Sequence, residues 1–238
     1  MIKFFRKIRQ NSLLEGKTGK YLKYAIGEII LVMIGILLAL QVNNWNQLQK
    51  ANKNEIEILG QIKNALQNNK ETLKNRIELY KGFQIDGNLL EKHLNERLSY
   101  SDTLQGYFII PTRDFSFGIS YSTYENVKNQ GFNIITNDTL RLKIIKLYDE
   151  QFGLLKDQES KAADLLPNIM QLAFKYFHTS PNGFKPNDYE LLLNSLEYSN
   201  VLSFMMTIAN QFEILSKNSN EEIDKLLSLI EKEIENRE

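Results

Sequence analysis

The sequence predicts an all-α protein with an N-terminal transmembrane helix, followed by an antiparallel helical bundle. An aromatic-rich loop or short hairpin is expected as an insertion. An apolar run of 18 residues lies at 25–42, and apolar positions recur at helical spacing through most of the remaining chain. With 12 Gly and 4 Pro in 238 residues, and 42% apolar residues, the chain is not disordered or fibrous. It has no cysteine, which excludes a disulfide framework, a thiolate zinc site and a cysteine nucleophile.

The apolar run divides the chain into a basic arm at 1–24, a transmembrane helix at 25–42 and a helical domain at 43–238. Eighteen residues at ~1.5 Å each give ~27 Å, close to the ~30 Å hydrocarbon core of a bilayer. Tyr24 and Trp45 bracket the run, where interfacial aromatics are expected. One alternative is a buried helix of a soluble protein. A cleaved signal peptide is the other, but the run is long and lacks a small-x-small cleavage site at its end.

The charges predict how the chain is oriented. Residues 1–24 carry seven Lys and Arg against one acidic residue, Glu15, whereas residues 43–238 carry 22 basic against 27 acidic residues. Because cytoplasmic flanks of membrane spans are enriched in Lys and Arg, the basic arm is predicted to be cytoplasmic. The domain at 43–238 then lies outside the cytoplasm. In a Gram-negative bacterium this means a single-pass inner-membrane protein with a periplasmic domain.

Residues along one side of the predicted span form a candidate transmembrane interface, made up of Glu28, Leu31, Gly35, Ala39 and Val42. Gly35 and Ala39 form a small-xxx-small pair, which allows close approach of two helices. A second copy of the chain or another membrane protein would dock on this stripe. The alternative is a single helix in lipid, with the Glu28 carboxylate reaching the headgroups.

Two stretches of the sequence resemble an uncharacterised bacterial membrane-protein family, domain of unknown function 6090. The first is KYLKYAIGEIILVMIGILLALQVNNWN at 20–46, which resembles the opening of that family. The second is YENVKNQG at 124–131 followed by IITNDTL at 134–140, which resembles a further shared segment. The resemblance implies an N-terminal anchor and a helical body. It implies no assigned activity, and it supplies no catalytic or binding residues.

After the span, a heptad seam predicts a long helix. Its positions, at spacings of three and four, are Leu59, Ile62, Leu66, Asn69, Leu73, Arg76 and Tyr80. The apolar stripe continues to Leu98 after a predicted irregularity near Gly82–Gly87. The seam fits either a coiled-coil stalk that dimerises or the first helix of an intramolecular bundle. The polar Asn69 and Arg76 favour the bundle.

Residues 99–123 break the helical pattern and are rich in aromatic side chains, with Pro111 among them. This composition predicts a short hairpin or an ordered loop. Five aromatic residues form a candidate partner surface: Tyr107, Phe108, Phe115, Phe117 and Tyr121. The alternative, which we favour, is a cap whose rings fill the end of the bundle.

Local signals predict the later helices. A helix over 123–130 should end at Gly131. Asn137 or Asp138 should cap the following helix. That helix should continue to about His178, with a kink or a new turn at Pro167. A loop is predicted at 179–187, followed by helices at 188–196 and 201–215. Ser219 and Glu222 form a capping box that predicts the start of a final helix.

No arrangement of residues in the sequence indicates catalysis. His93 and His178 lie outside any metal-binding spacing, and no nucleophile elbow is present. We therefore predict no catalytic, metal or cofactor site. The net acidic body also argues against nucleic-acid binding.

Three classes of function remain, in order of expectation. The first is a membrane-anchored, non-enzymatic interaction or structural protein, with the lipid bilayer and a second copy or membrane protein as partners. The second is a helical bundle that senses a small ligand and signals through a partner, because the basic arm has no room for an output domain. The third is an enzyme with an unrecognised site.

Overall fold

The computed structural model describes residues 18–237, and side chains from residue 22 onward. Most of the predicted basic arm therefore lies outside the described residues. The chain divides into two compact units, at 1–54 and 55–238, which we call the anchor unit and the bundle unit. One continuous helix, α1 (Thr18–Asn95), contributes residues to both.

The anchor unit consists, in its described part, of the first portion of α1. From Leu22 to Asn54 every side chain is exposed except those of Ala25 and Asn52, which are half-buried. This stretch contains the apolar run, and it is the one helix among the described residues that is long and apolar enough to cross a membrane. The predicted N-terminal apolar helix is therefore confirmed as a helix and as a candidate membrane span.

The bundle unit contains the rest of α1 and a series of shorter elements. After α1 come a 3-10 helix (Asp102–Leu104), α2 (Gln105–Phe108), a second 3-10 helix (Ile110–Thr112), α3 (Ser122–Gln130), a third 3-10 helix (Phe132–Ile134) and α4 (Asp138–Lys146). A π-helix (Leu147–Gln151), α5 (Phe152–Tyr176), the strands β1 (Phe177–Ser180) and β2 (Gly183–Pro186), α6 (Tyr189–Leu193) and α7 (Leu196–Glu235) complete it.

The long helix α7 runs in the opposite direction to both α1 and the α4–α5 segment. Against α1, the Lys63 ammonium lies 2.9 Å from the Glu231 carboxylate, and the Ser203 hydroxyl donates to Glu91 at 2.6 Å. Against α5, Lys175 lies 2.6 Å from Glu197, near the start of α7. Residue numbers thus rise along one helix as they fall along its neighbour.

The stretch between α1 and α4 returns along α1 without forming a long helix. Its contacts with α1 move steadily toward lower numbers, from Arg113 near Asp86 to Thr136 at Glu55. The part at 113–121, which we call the strap, has no regular secondary structure. It occupies the position where a second helix of a four-helix bundle would lie.

The heptad seam of α1 is buried within its own chain. Leu59, Leu66, Leu73 and Tyr80 are each 0% exposed and belong to the main core, with residues from the strap, α3, α4, α5 and α7. A smaller second core surrounds Phe108, between the end of α1 and the β-hairpin. Downstream of Glu55, therefore, the seam belongs to an intramolecular bundle and not to a dimeric stalk.

Two predicted helix ends agree with the structure. Gly131 follows α3 with φ of +97°, a conformation that glycine adopts at little cost. The Asn137 side chain accepts a hydrogen bond from the Leu140 N–H at 3.1 Å and so caps α4. Both signals are local, which is why sequence alone identified them.

Of the two structures predicted for 99–123, an ordered loop and a hairpin, the structure contains the loop, as the strap, and not the hairpin. Residues 99–123 form short helices and the strap, whereas the antiparallel hairpin pairs Phe177 with Pro186, within the stretch predicted as helix end and loop. The hairpin packs so closely on α2 that a Cβ at Gly183 would lie 2.2 Å from the Gln105 carbonyl oxygen. Gly183, with φ of +134°, is therefore required by both space and conformation.

Several predicted breaks are also absent. α1 continues through Gly82–Gly87. α5 continues through Pro167, so no new element begins there, and the alternative of a kink at Pro167 stays a prediction. α7 runs through Ser219, which is 1% exposed, so the capping box does not begin a helix. In place of the helix predicted at 188–196, the structure has the shorter helix α6 (Tyr189–Leu193). Burial of apolar residues on both sides of Ser219, Phe212 before it and Ile223 and Leu226 after it, outweighs the local preference for a break.

Candidate functional site

The predicted interface stripe lies on the exposed surface of α1. Leu31 and Val42 are 69% and 64% exposed, and Glu28, Gly35 and Ala39 are exposed as well. A Cβ built at Gly35 would meet no atom within 4 Å. The described part of the chain thus leaves room for a helix to approach at Gly35. The transmembrane interface stays a prediction.

The five aromatic residues of the candidate partner surface lie in different environments. Phe108, Phe115 and Phe117 are 1%, 5% and 0% exposed, whereas Tyr107 and Tyr121 are half-buried. A buried ring offers no contact area to a partner, so the structure does not support a partner surface at the three phenylalanines. They pack inside the bundle unit, with Phe108 in the second core and the other two in the main core.

The strap is a non-helical segment held inside a helical bundle, with Gly118 in the left-handed region at φ of +68°. Phe115 and Phe117 are buried while Asp114, Gly118 and Ser120 are exposed, the alternation expected of extended backbone with one face on a core. Non-helical backbone inside a bundle has no neighbouring strand. Its N–H and C=O groups must therefore find other hydrogen-bond partners or remain unpaired at a cost.

Side chains of the surrounding helices supply those partners. The Tyr80 hydroxyl donates to the Ser116 carbonyl at 2.5 Å and accepts from the Ser116 N–H at 3.0 Å. The buried Asn69 amide donates to the Ser120 carbonyl at 3.0 Å and accepts from the Ser120 N–H at 2.9 Å. The Glu159 carboxylate of α5 accepts from the Phe117 N–H. Asn69 and Tyr80 of the α1 seam thus make the backbone hydrogen bonds that a neighbouring strand would make in a sheet.

Replacing Asn69 by leucine, which is similar in size, should lower the free energy of unfolding by about 2 kcal/mol, because two backbone groups of Ser120 lose their partners. The same change at Asn68, which is exposed, should cost less than about 0.5 kcal/mol. Thermal unfolding of the full chain in detergent, followed by circular dichroism, measures both. Equal effects at the two positions would refute the role of Asn69 in holding the strap.

An aromatic cluster fixes the strap against α1 and α7. The Phe117 ring stacks on Phe212 with centroids 4.3 Å apart, and Phe115 stacks on Tyr80 at 5.6 Å. Phe212 also meets Phe115 and Tyr80 edge-on at 5.3 and 5.5 Å. Edge and offset contacts of this kind stabilise aromatic pairs beyond their buried area. Phe212 is the point at which the strap, α1 and α7 meet.

A second polar cluster ties α1, the residues before α4 and the end of α7 together. We call it the junction cluster; its members are Glu55, Thr136, Asn137, Glu233 and Arg237. Glu55, 1% exposed, accepts from the Thr136 N–H at 2.8 Å and pairs with the Arg237 guanidinium at 2.9 Å. Arg237 also pairs with Glu233 at 2.7 Å. Burial opposes ionisation of Glu233, but hydrogen bonds from Asn137 and Arg237 hold its pKa below the usual value.

Burial keeps the core tyrosines protonated. It raises the pKa of Tyr80 to about 12, against a hydrogen bond from the Ser116 backbone that lowers it, and raises the pKa of Tyr121 and Tyr148 to about 12 as well. These groups therefore act as neutral hydrogen-bonding residues at physiological pH. Tyr121, for example, donates to the Phe152 carbonyl at 2.8 Å.

The histidines and acidic residues do not converge on a metal site. The His93 ring lies 3.1 Å from the Ser99 carbonyl, and the His178 ring 2.8 Å from the Asn187 amide oxygen. Within residues 18–237, no group of three or more His, Asp or Glu side chains has the arrangement of a metal centre.

Two open grooves lie on the surface of the bundle unit. One, of about 250 Å³, runs between α5 and α7 and is mainly apolar, with Leu165, Val201 and Phe204 among its lining residues. The other, of about 290 Å³, lies beside the π-helix and includes Lys143, Lys146 and Lys225. Neither groove is lined by residues from 99–123.

Comparison with known proteins gives one match. A family model described as "Family of unknown function (DUF6090)" matches residues 28–180, well over half of the chain. The chain belongs to this family. The matched range of DUF6090 extends from Glu28 through the strap and β1, and it includes Asn69, Tyr80 and Glu159. No curated protein and no solved structure matches significantly.

Sequence reasoning missed the helix side chains that hold the strap of this DUF6090 protein. Asn69 was recognised as a polar interruption of the seam, but its partner lies 51 residues away and no local pattern indicates it. Tyr80 and Glu159 gave no signal of their own. The polar side chain of Asn69 at a seam position was the one feature of the sequence that indicated these contacts.

Proposed function

We propose that this DUF6090 protein is a membrane-anchored, non-enzymatic interaction or structural protein. α1 spans the inner membrane of a bacterium over 25–42, the basic arm lies in the cytoplasm, and the bundle unit lies in the periplasm. The single observation that carries the proposal is the exposure of every apolar side chain of the run from Ile26 to Val42. Such an apolar surface is stable in lipid but not in water.

The distribution of charge supports the proposed orientation. Seven basic residues precede the run, whereas Lys50 and Lys53 are the only ones between the run and Glu55. The hydrogen bonds of three buried polar residues of the bundle unit, Glu55, Asn69 and Tyr80, support a structural role for these residues.

Reporter fusions test the orientation. Alkaline phosphatase fused after Glu238 should be active, because it folds only outside the cytoplasm, and a fluorescent protein that folds only in the cytoplasm should be dark there. A matched phosphatase fusion after Tyr24 should be inactive. The reverse pattern would contradict the proposed topology.

Membrane attachment is tested by charge insertion. Changing Leu31 and Leu38 together to arginine should move the protein from the membrane pellet to the soluble fraction, because each charge costs about 3 kcal/mol near the centre of a span. The matched control, Gln47→Arg with Asn54→Arg, should remain in the pellet, since both residues lie beyond the run. If the leucine variant stays in the pellet after a carbonate wash, α1 is not the anchor.

A further inference from the structure

We propose that a second copy of this chain packs in parallel and in register along α1, over the exposed heptad seam from Leu31 to Leu48. The inference rests on the proposed function, because a shared membrane orientation makes two copies of α1 parallel. It differs from a dimeric stalk downstream of Glu55, where the seam is already covered by the chain itself. It also places the second copy on a different face of α1 from the Gly35 stripe, with which the seam shares only Leu31.

The heptad frame of the buried seam can be followed upstream along α1. Counting back in sevens from the buried Leu59 gives Asn52, Trp45, Leu38 and Leu31, and counting back from the buried Ile62 gives Glu55, Leu48, Gln41 and Ile34. These are the a and d positions of one heptad frame, in which the polar Asn52 and Glu55 separate the apolar seam downstream from the stretch Leu31 to Leu48. Downstream, Leu59 and Ile62 are 0% and 2% exposed, whereas upstream Trp45 and Leu48 are 63% and 68% exposed.

The seam is long enough to pair. From Leu31 to Leu48 it has three a positions and three d positions, of which five are large apolar residues and the sixth is Gln41. Two facing glutamine amides can hydrogen-bond across a helix pair near the membrane boundary, where such bonds hold helices together. Anchoring in one membrane also raises the effective concentration of each copy, so weak pairing suffices.

The charges along this part of α1 permit a pair of identical helices. The positions beside the seam, where like charges would repel in a parallel dimer, are uncharged from Leu31 to Ala51; outside the span they are Asn44, Gln49 and Ala51. The basic residues Lys50 and Lys53 lie on the outer side of the helix. A second copy therefore meets no electrostatic penalty at this seam.

The junction cluster sets the downstream limit of the pairing. Glu55 occupies the next d position, but its carboxylate is buried and held by Arg237 and Thr136 of its own chain. The seam is thus open to another chain only before this residue. Before Glu55, α1 packs on the second copy, and from Glu55 onward it packs on its own chain.

Disulfide mapping tests the inference, because the native chain has no cysteine and each introduced thiol is unique. Single substitutions Trp45→Cys and Leu48→Cys are compared with the matched outer positions Asn46→Cys, Gln47→Cys and Lys50→Cys. Full-length protein in native membranes is oxidised briefly and separated without reductant. The dimer yield at the two seam positions should exceed that at the outer positions at least about fivefold, because only seam thiols face each other.

The outcomes are distinguishable. High yields at Trp45 and Leu48 alone support the parallel pair. Equal yields at all five positions, or none, in protein that still pellets with membranes would overturn the pair and leave the proposed anchoring intact; Trp45 would then be only an interfacial aromatic in lipid. Recovery of every variant in the soluble fraction would contradict the proposed function itself.

Discussion

Replacing Phe212 by alanine is expected to lower the free energy of unfolding of the bundle unit by about 4 kcal/mol, as for other buried phenylalanines. The ring is 2% exposed and contacts Phe117, Phe115 and Tyr80. Its removal leaves a cavity and withdraws the stacking partner of the strap. The loss of stability affects three elements at once, because the strap, α1 and α7 meet at this one side chain.

Two measurements on the full chain in detergent check this expectation. The melting temperature should fall, and trypsin should cleave faster after Arg113, at the beginning of the strap. Phe204→Ala is the matched control, since Phe204 lies on the same helix but is 51% exposed, and it should cost less than about 1 kcal/mol. A similar loss for both variants would show that Phe212 has no special role in holding the strap.

The second large effect is expected at the junction cluster. Arg237→Met removes the cationic partner of Glu55, whose side chain is 2% exposed, and should cost about 3 kcal/mol because a buried carboxylate is left without its counter-charge. Adding Glu55→Gln to that variant should restore part of the loss, since the second change removes the unpaired charge. Unfolding of the two single variants and the double variant measures the coupling.

Arg97→Met is the matched control for the arginine change. Arg97 lies 3.9 Å from Glu190, and both side chains are well exposed, so its loss should cost less than about 1 kcal/mol. If the double variant is less stable than Arg237→Met by the full cost of Glu55→Gln, the two groups do not interact. The junction cluster would then be a set of independent contacts.

The sequence predicts those parts of the fold that depend on near neighbours. The apolar run, the α1 seam, the Asn137 cap and the glycine after α3 are all encoded within a few residues. The hairpin was assigned to a helix end and a loop because two prolines, Pro181 and Pro186, lie in this stretch, and its two-residue turn, Pro181-Asn182, is not one of the favoured hairpin pairs.

The strap could not be predicted because its stability comes from distant residues. Its peptide groups are satisfied by Asn69, Tyr80 and Glu159, which lie 36 to 51 residues away along the chain. The hydrophobic period and the composition of a segment indicate its own conformation, but not which distant residues it contacts. Aromatic composition left two interpretations of Phe115 and Phe117, a partner surface and the favoured cap of buried rings, and the structure buries both rings in the main core.

Contacts between residues far apart in the sequence also determine when the bundle unit can finish folding. Lys70 of α1 pairs with Asp224 of α7, 154 residues later, and Glu55 of α1 pairs with Arg237. A chain made from its N-terminus presents α1 long before α7 is complete, and contacts of such sequence separation form slowly. Synthesis of the polypeptide up to Arg237 must therefore precede closure of the bundle. In the interval, the apolar seam beyond Glu55 is uncovered.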